Sequence, residues 1–203
     1  VPRWEHGSQE RLKQAAMELF EEQGFQATSA VQIAKRARVT TRTFFRYFSD
    51  KQSILFVDAD SMRAALIQRI LDDADVAEPL QAVTRALVGF DWEGLGPRES
   101  QRQRDAMITA DPDLLERELN KQHQMADGFS RALQQVGVDM RTAELAARVG
   151  IQVFQMAYRQ WLTADDNTEL ATTMEASMST LAAIVPAKPR PRRSRSTSRV
   201  TPS

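Results

Sequence analysis

The 203 residues carry 27 Lys/Arg against 27 Asp/Glu and no cysteine, which excludes disulfides, thiolate metal sites and a cysteine nucleophile. At 42% hydrophobic the chain is long enough for one large domain or two small ones sharing a helix. No apolar run approaches the roughly 18 residues that span a bilayer, and the stretch from Val1 to His6 has no apolar signal core, so a cytoplasmic protein without membrane association is expected. The zero net charge hides a gradient: residues 1–51 hold 9 basic against 6 acidic side chains, residues 52–185 hold 12 against 21, and residues 186–203 hold 6 against none. A basic head and tail around an acidic body suit a protein that meets a polyphosphate with one end, although scatter over solvated helices gives the same totals.

In chain order, residues 1–7 read as a flexible arm whose Arg3, and less so Trp4, can reach a phosphate. A first helix over 8–23 places Leu12, Ala15, Ala16, Leu19 and Phe20 on one stripe and ends at Gly24. Two short helices follow. Ser29 caps the first with Gln32 at its third position, and Ile33, Ala34 and Ala37 form its apolar face. Thr40 caps the second, which turns Thr41, Arg42, Thr43 and Arg46 outward, while Phe44, Phe45 and Phe48 offer rings for packing. Two helices joined by a short turn, the second projecting hydroxyls and a guanidinium, form the arrangement that enters a DNA major groove. A fourth helix, with Ser49 and Gln52 as a second capping box, runs to about 71 and joins head to body.

Pro79 opens a fifth helix that ends near 90, and a Gly/Pro-punctuated loop over 91–97 precedes a short helix over 98–109. Asp111-Pro112 starts a seventh helix running to about 136. The eighth, over 140–162, carries two apolar stripes, Leu145, Val149, Val153 and Met156 on one and Ile151, Phe154, Tyr158 and Trp161 on the other, so it needs two partners. The ninth, over 168–185, repeats Leu170, Met174, Met178 and Leu181. The Pro/Ser/Arg-rich stretch 186–203 is expected to be disordered and able to add non-specific phosphate attraction. The fold class is all-α with about nine helices: a head over 1–51, a helical body over 52–185 and a basic tail. Surplus apolar surface on helices 8 and 9 points to a homodimer built through them.

The run from about Ser8 to Lys51 resembles the helix-turn-helix of the TetR family of bacterial transcriptional regulators. The residues that carry the likeness are Gly24-Phe25, Thr28-Ser29, Ile33-Ala34, Val39-Thr40, Thr43-Phe44-Phe45-Arg46-Tyr47-Phe48 and Asp50-Lys51. Two positions depart from the family pattern. Arg38 stands where a glycine usually takes the left-handed turn, and Phe45 replaces a tyrosine and its hydroxyl. The resemblance implies a regulator, most simply a repressor, that binds a palindromic operator and is released by an effector bound within the body. A faint likeness over 112–161 to the acyl-CoA-responsive subgroup makes an acyl-CoA or fatty acid a candidate effector.

For DNA, Thr28, Thr40, Thr43, Arg46, Tyr47 and Lys51 are the phosphate-directed set, and Thr41 and Arg42 the base-reading pair. Lys51 opposes the helix dipole at the start of the fourth helix, which a nearby phosphate would explain. For the effector, Met62, Phe90, Trp92, Met107, Leu115, Met125, Phe129 and Phe154 are candidate cavity walls, although such residues at helical spacing serve equally as plain core. Arg98, Arg102 and Arg104 would suit an anionic group at its mouth. Catalysis is not expected. The two histidines, His6 and His123, have no nucleophile or metal partner at a recognisable spacing, and no phosphate-binding glycine loop, cofactor motif or metal site is present. The alternative to a DNA-binding regulator is a helical scaffold that keeps the head but, with Arg38 in its turn, no longer docks.

Overall fold

The computed structural model describes residues 4–185, apart from 74 and 76. The described residues form nine α-helices, two short 3-10 turns and no strand. The head is α1 (Trp4–Gln23), α2 (Ala30–Arg36) and α3 (Thr41–Tyr47); the body is α4 (Ala59–Leu71), α5 (Pro79–Val88), α6 (Arg98–Ala110), α7 (Pro112–Gln135), α8 (Met140–Thr163) and α9 (Leu170–Ile184). Residues 4–7, expected in a free arm, form the first turn of α1. Arg3, the side chain of Trp4 and the tail 186–203 lie outside the described residues. No described helix is long and apolar enough to cross a membrane.

Two cores organise the molecule. In the head, Leu12, Ala16 and Phe20 of α1 close on Ile33 of α2 and on Phe44 and Phe48, and this core continues past residue 51 into Ile54, Leu55, Ile108 and Leu114. The α6–α7 corner therefore plugs the floor of the head. In the body, α8 is the central helix, packed by α5, α7 and α9. Gly128 lets α7 approach α4 closely, since a Cβ there would lie 2.7 Å from Ile67 Cδ1.

The expected continuous helix from Ser49 to Leu71 is broken. Gln52–Phe56 is a 3-10 turn, and α4 begins only at Ala59. Ser49 does not cap this turn: its N-cap position is Lys51, and Asp50 just before it accepts the Ser53 N–H through Oδ1 at 2.6 Å. The Leu55 carbonyl, which an α-helix would use in its own ladder, accepts instead from Arg104 Nε of α6 at 2.7 Å. Lys13 of α1 holds Asp58, just before α4, at 3.0 Å. A tertiary contact thus sets the joint between head and body.

Candidate nucleic-acid interface and effector cavity

Each short helix of the head is held by its own cap. Ser29 and Gln32 form the reciprocal capping box of α2. Thr40 Oγ1 accepts the Thr43 N–H at 3.1 Å at the start of α3 and lies 2.9 Å from the Thr43 hydroxyl. Between them, Arg38 takes a left-handed conformation with φ of +56°. The Val39 N–H returns to the Ala34 carbonyl at 2.9 Å and the Arg38 N–H to Lys35 at 3.1 Å. This is the closure a glycine would give, made with an arginine whose side chain points to solvent.

Periodicity on α3 sorts its side chains. Phe44 and Phe48, four residues apart, are buried, whereas Phe45, expected to pack, is 55% exposed and meets Phe44 edge-on at 5.2 Å. Arg42 and Arg46 are exposed, and Thr41, Thr43 and Tyr47 are half-buried beside them. Arg46 lies over the Tyr47 ring and donates to its hydroxyl at 3.0 Å. Among the described residues Arg38, Arg42 and Arg46 enter no ion pair, while the head's carboxylates are engaged elsewhere: Glu18 and Glu22 with Arg36, Glu10 with Lys13, Asp50 with Arg117. The outer face of the turn and α3 is left with a cationic surplus and one exposed ring. Phe45 and Arg38 are members of that face which the residue-by-residue reading did not include. The four-residue spacing of Phe44 and Phe48 already set Phe45 on a different side.

Two expected phosphate contacts are corrected. Thr28 is buried, its hydroxyl donating to the Gly24 carbonyl at 2.9 Å and accepting from Gln23. Lys51 reaches back across the head, and its Nζ donates to the carbonyls of Phe25, Gln26 and Thr28 at 2.7, 3.2 and 2.9 Å, 4.4 Å above the Phe25 ring. Burial pushes its ammonium below the ordinary value, with Asp111 offsetting part of the shift. The anion inferred for this lysine is a set of carbonyl oxygens, and its three donors are spent on the α1–α2 loop.

The α6–α7 corner grips the head at several points. Gln26 hydrogen-bonds Asp111, the cap of α7, and Gln103 of α6 donates to Glu21 at 3.2 Å. Arg117 of α7 reaches Asp50 and Gln52 at 3.1 Å each, just past the end of α3. Burial works against the Asp50 charge, but the Ser53 N–H and the Arg117 guanidinium outweigh it and hold the carboxyl below its ordinary range.

Above this corner lies a cavity of about 180 Å³. Met62, Trp92, Met125 and Phe154 line it, as expected, together with Met17, Leu55 and Phe56 from the head side and Arg104, Glu118, Lys121 and Tyr158 from the body. The other four expected wall residues lie elsewhere. Phe129 is fully buried in the body core, Phe90 packs on Trp92 with ring centroids 4.9 Å apart, Met107 packs against the head core, and Leu115 sits in the first turn of α7. Hydrophobicity marked all eight, but only the packing of α4, α6, α7 and α8 decides which face the gap. Arg98 and Arg102 do not guard a mouth. Arg98 donates to the carbonyls of Asp165 and Thr168 with its guanidinium over Trp161, and Arg102 donates to Leu162, so both staple α6 to the end of α8. Arg104 alone of the three reaches the cavity.

Apart from Arg104, the polar part of the wall left no mark in the sequence. Glu118 is only 7% exposed and is held by Lys121 at 2.7 Å and Arg104 at 3.3 Å. Burial alone would push its carboxyl up; the two cations outweigh that and keep it ionised, below its ordinary value. Lys121 is pushed down by burial, with Glu118 opposing. Tyr158 gives its hydroxyl proton to Gln101 at 2.5 Å, and burial raises it to about 12.

Residues 12–56 match the family model described as bacterial regulatory proteins, tetR family. The HTH-type transcriptional regulator TcmR of Streptomyces glaucescens is 28% identical over 189 residues, spanning 86% of this chain and 82% of that protein. The HTH-type transcriptional regulator HbdR of Aromatoleum sp. (strain CIB) is 32% identical over 97 residues, 47% of this chain and 40% of that protein. Among solved structures, NalD of Pseudomonas aeruginosa, the secondary repressor of the MexAB-OprM multidrug efflux pump, aligns with a TM-score of 0.61 at 19% identity, covering 87% of this chain and 94% of its own. Thermus thermophilus FadR, a transcriptional repressor in complex with lauroyl-CoA, aligns with a TM-score of 0.52 at 23% identity, covering 90% and 98%. At those identities the structures speak for the shared all-helical fold. With its capped helix pair and its matched residues 12–56, the head is of the tetR type, and the chain is similar to an HTH-type transcriptional regulator along most of its length.

Proposed function

We propose that the protein is a homodimeric repressor that reads a palindromic operator with α3 and is released when a small hydrophobic effector fills the cavity between head and body. The observation that carries the DNA reading is the exposed cationic face of Arg38, Arg42 and Arg46, in no ion pair among the described residues, on a head whose acids are drawn to other partners. Thr40, Thr43, Arg46 and Tyr47 serve phosphate contacts, and Thr41 and Arg42 base edges, where arginine reaches guanine bidentately. The Arg38 turn closes on the hydrogen bonds a glycine would supply, which favours docking over the scaffold alternative.

A second copy is supported by α8. Leu145 and Met156 stand 66% and 62% exposed on the helix face opposite Ile151 and Phe154, which enter the core. Apolar groups of that size on one face suit an isologous contact through α8 and α9, which sets two reading helices about one duplex turn apart. The cavity touches both the 3-10 turn below the head and α6–α7, so an occupant alters the contacts that aim the head. An acyl chain with its CoA group, as in the lauroyl-CoA of the Thermus structure, asks for more room than the 180 Å³ here, since sites for larger ligands run from roughly 300 to 1,000 Å³. A compact effector therefore fits this cavity better than an acyl-CoA.

Gel-shift and footprinting assays on DNA flanking the protein's own coding region test the reading. A two-fold symmetric protected site bound by a dimer is the expected result. Equal binding to all sequences, or a monomer on one half-site, would overturn it.

A further inference from the structure

The donors and acceptors of the cavity wall do not balance. Gln101 is spent, its amide donating to the Trp92 and Gly96 carbonyls and its oxygen accepting from Tyr158. Lys13 and Asp58 satisfy each other at 3.0 Å, and Asp105 faces Arg159 at 3.5 Å. What remains is the group of buried Glu118 with half-buried Arg104 and Lys121, two cations on one carboxylate. Glu118 already accepts from Lys121, Arg104 and Gln122, which nearly exhausts its lone pairs. Lys121, by contrast, has Glu118 as its one polar partner among the described residues, so two of its three N–H donors are unused. Arg104, its guanidinium over the Phe56 ring, commits Nε to Leu55 and one Nη to Glu118, and its other Nη has no hydrogen-bond partner among the described residues. The lining charges balance overall, Lys13, Arg104 and Lys121 against Asp58, Asp105 and Glu118, but at the Glu118 end two cations with spare donors share one nearly exhausted carboxylate.

The opposite wall is a stack of rings. Trp92 lies 4.8 Å from Phe154 at an interplanar angle of 31° and 5.5 Å from Tyr158, and Met62 and Met125 line the same space. Ring and thioether walls suit a flat apolar body, and the volume of about 180 Å³ suits a compact one. An acceptor-only anion completes the other end. A carboxylate would bring this group to two cations and two anions. A cation would add to the surplus, and a neutral ligand would leave Lys121 desolvated with a single partner.

We propose that the effector is a compact aromatic carboxylic acid, its ring against Trp92 and Phe154 and its carboxylate received by Lys121 and Arg104. This rests on the reading of the cavity as the effector site. It also gives the ligand a route to the head, because the arginine that receives the carboxylate is the one that holds the Leu55 carbonyl in the joint.

The test titrates the full-length protein with 2-naphthoate, 2-naphthamide, 2-naphthylmethylammonium and laurate by calorimetry, with operator retention measured in parallel. Naphthoate should bind about tenfold or more tightly than its amide, as expected when a charge-assisted hydrogen bond is lost, and the ammonium should bind least. Lys121→Met, checked for an unchanged helical spectrum and a cooperative melt, should bring acid and amide close to parity, and Lys121→Arg should restore the preference. Equal binding of acid and amide by the wild type overturns the inference, as does a preference for the ammonium or no binding by any probe. Laurate binding about tenfold tighter than naphthoate overturns the aromatic class. Operator release by the amide or ammonium alone sinks the carboxylate while leaving the regulator intact. Tight naphthoate binding with unchanged operator retention upholds the ligand class and removes the effector role.

Discussion

Arg38 holds φ of +56°, a state that costs a side chain with a Cβ about 1 to 2 kcal/mol. Arg38→Gly relieves that cost but gives back about 0.4 to 1 kcal/mol through the freer unfolded chain. Urea denaturation of the variant should therefore show a net gain between about zero and about 1.6 kcal/mol, with operator affinity lowered by the missing charge; a loss of stability would mean the turn is not strained. At Arg42 and Lys51 the contrast is functional. Arg42→Ala should narrow the gap between operator and random DNA by about 1 to 3 kcal/mol, measured by competition binding. Lys51→Met should lower the unfolding free energy by about 2 kcal/mol, since a charged donor to three carbonyls is lost, and leave the salt dependence of DNA binding unchanged. A reduced salt slope for the lysine variant would restore it to the phosphate-contacting set.

Among the elements, α8 shows how one helix serves two environments. Its Ile151, Phe154 and Trp161 side is core, and its Leu145 and Met156 side is bare. The double variant Leu145→Glu/Met156→Glu sets two acids against their symmetry mates, so sedimentation should report a monomer with an unchanged helical spectrum and a lost operator complex. A dimer surviving both substitutions would move the interface elsewhere. The joint between α3 and α4 is the other informative element. Periodicity ran one helix through it because Ile54, Leu55 and Met62 are apolar at compatible spacing. Arg104, nearly fifty residues further on, takes the Leu55 carbonyl and ends that ladder. A hydrogen bond from so far along the chain leaves no local mark.

At the scale of the whole molecule, the Arg104–Glu118–Lys121 group sits between the two cores and ties stability to pH. The Glu118 carboxyl lies below its ordinary value of 4.5, so its contribution is complete above that value and disappears as pH falls through the lower folded one. Lys121 is lowered from 10.5, so it favours the folded state increasingly as pH rises through its depressed value toward the ordinary one. Thermal melts across the acid limb should fall for the wild type and fall less steeply for Glu118→Gln, which starts lower because two half-buried cations lose their counter-ion. Parallel curves would remove Glu118 as the source. The same group lies within the cavity wall, and Arg117, next to Glu118 on α7, reaches Asp50, so the cavity and contacts to the head share one corner of the fold.

The amino-acid sequence by itself determined the helices, their caps and the side of each that is apolar, because those follow from spacings of three and four residues and from local side-chain-to-backbone hydrogen bonds. Ser29 with Gln32, Thr40 and the outward Arg42 and Arg46 were legible in that way, whereas the left-handed turn at Arg38 came from the resemblance. Only the tertiary structure decided that Lys51 faces carbonyls, that Thr28 is buried, and which apolar residues line a gap and which fill a core. Those outcomes depend on what another helix presents within about 3 to 4 Å, and a donor's partner or a ring's neighbour is set by packing that local periodicity does not encode.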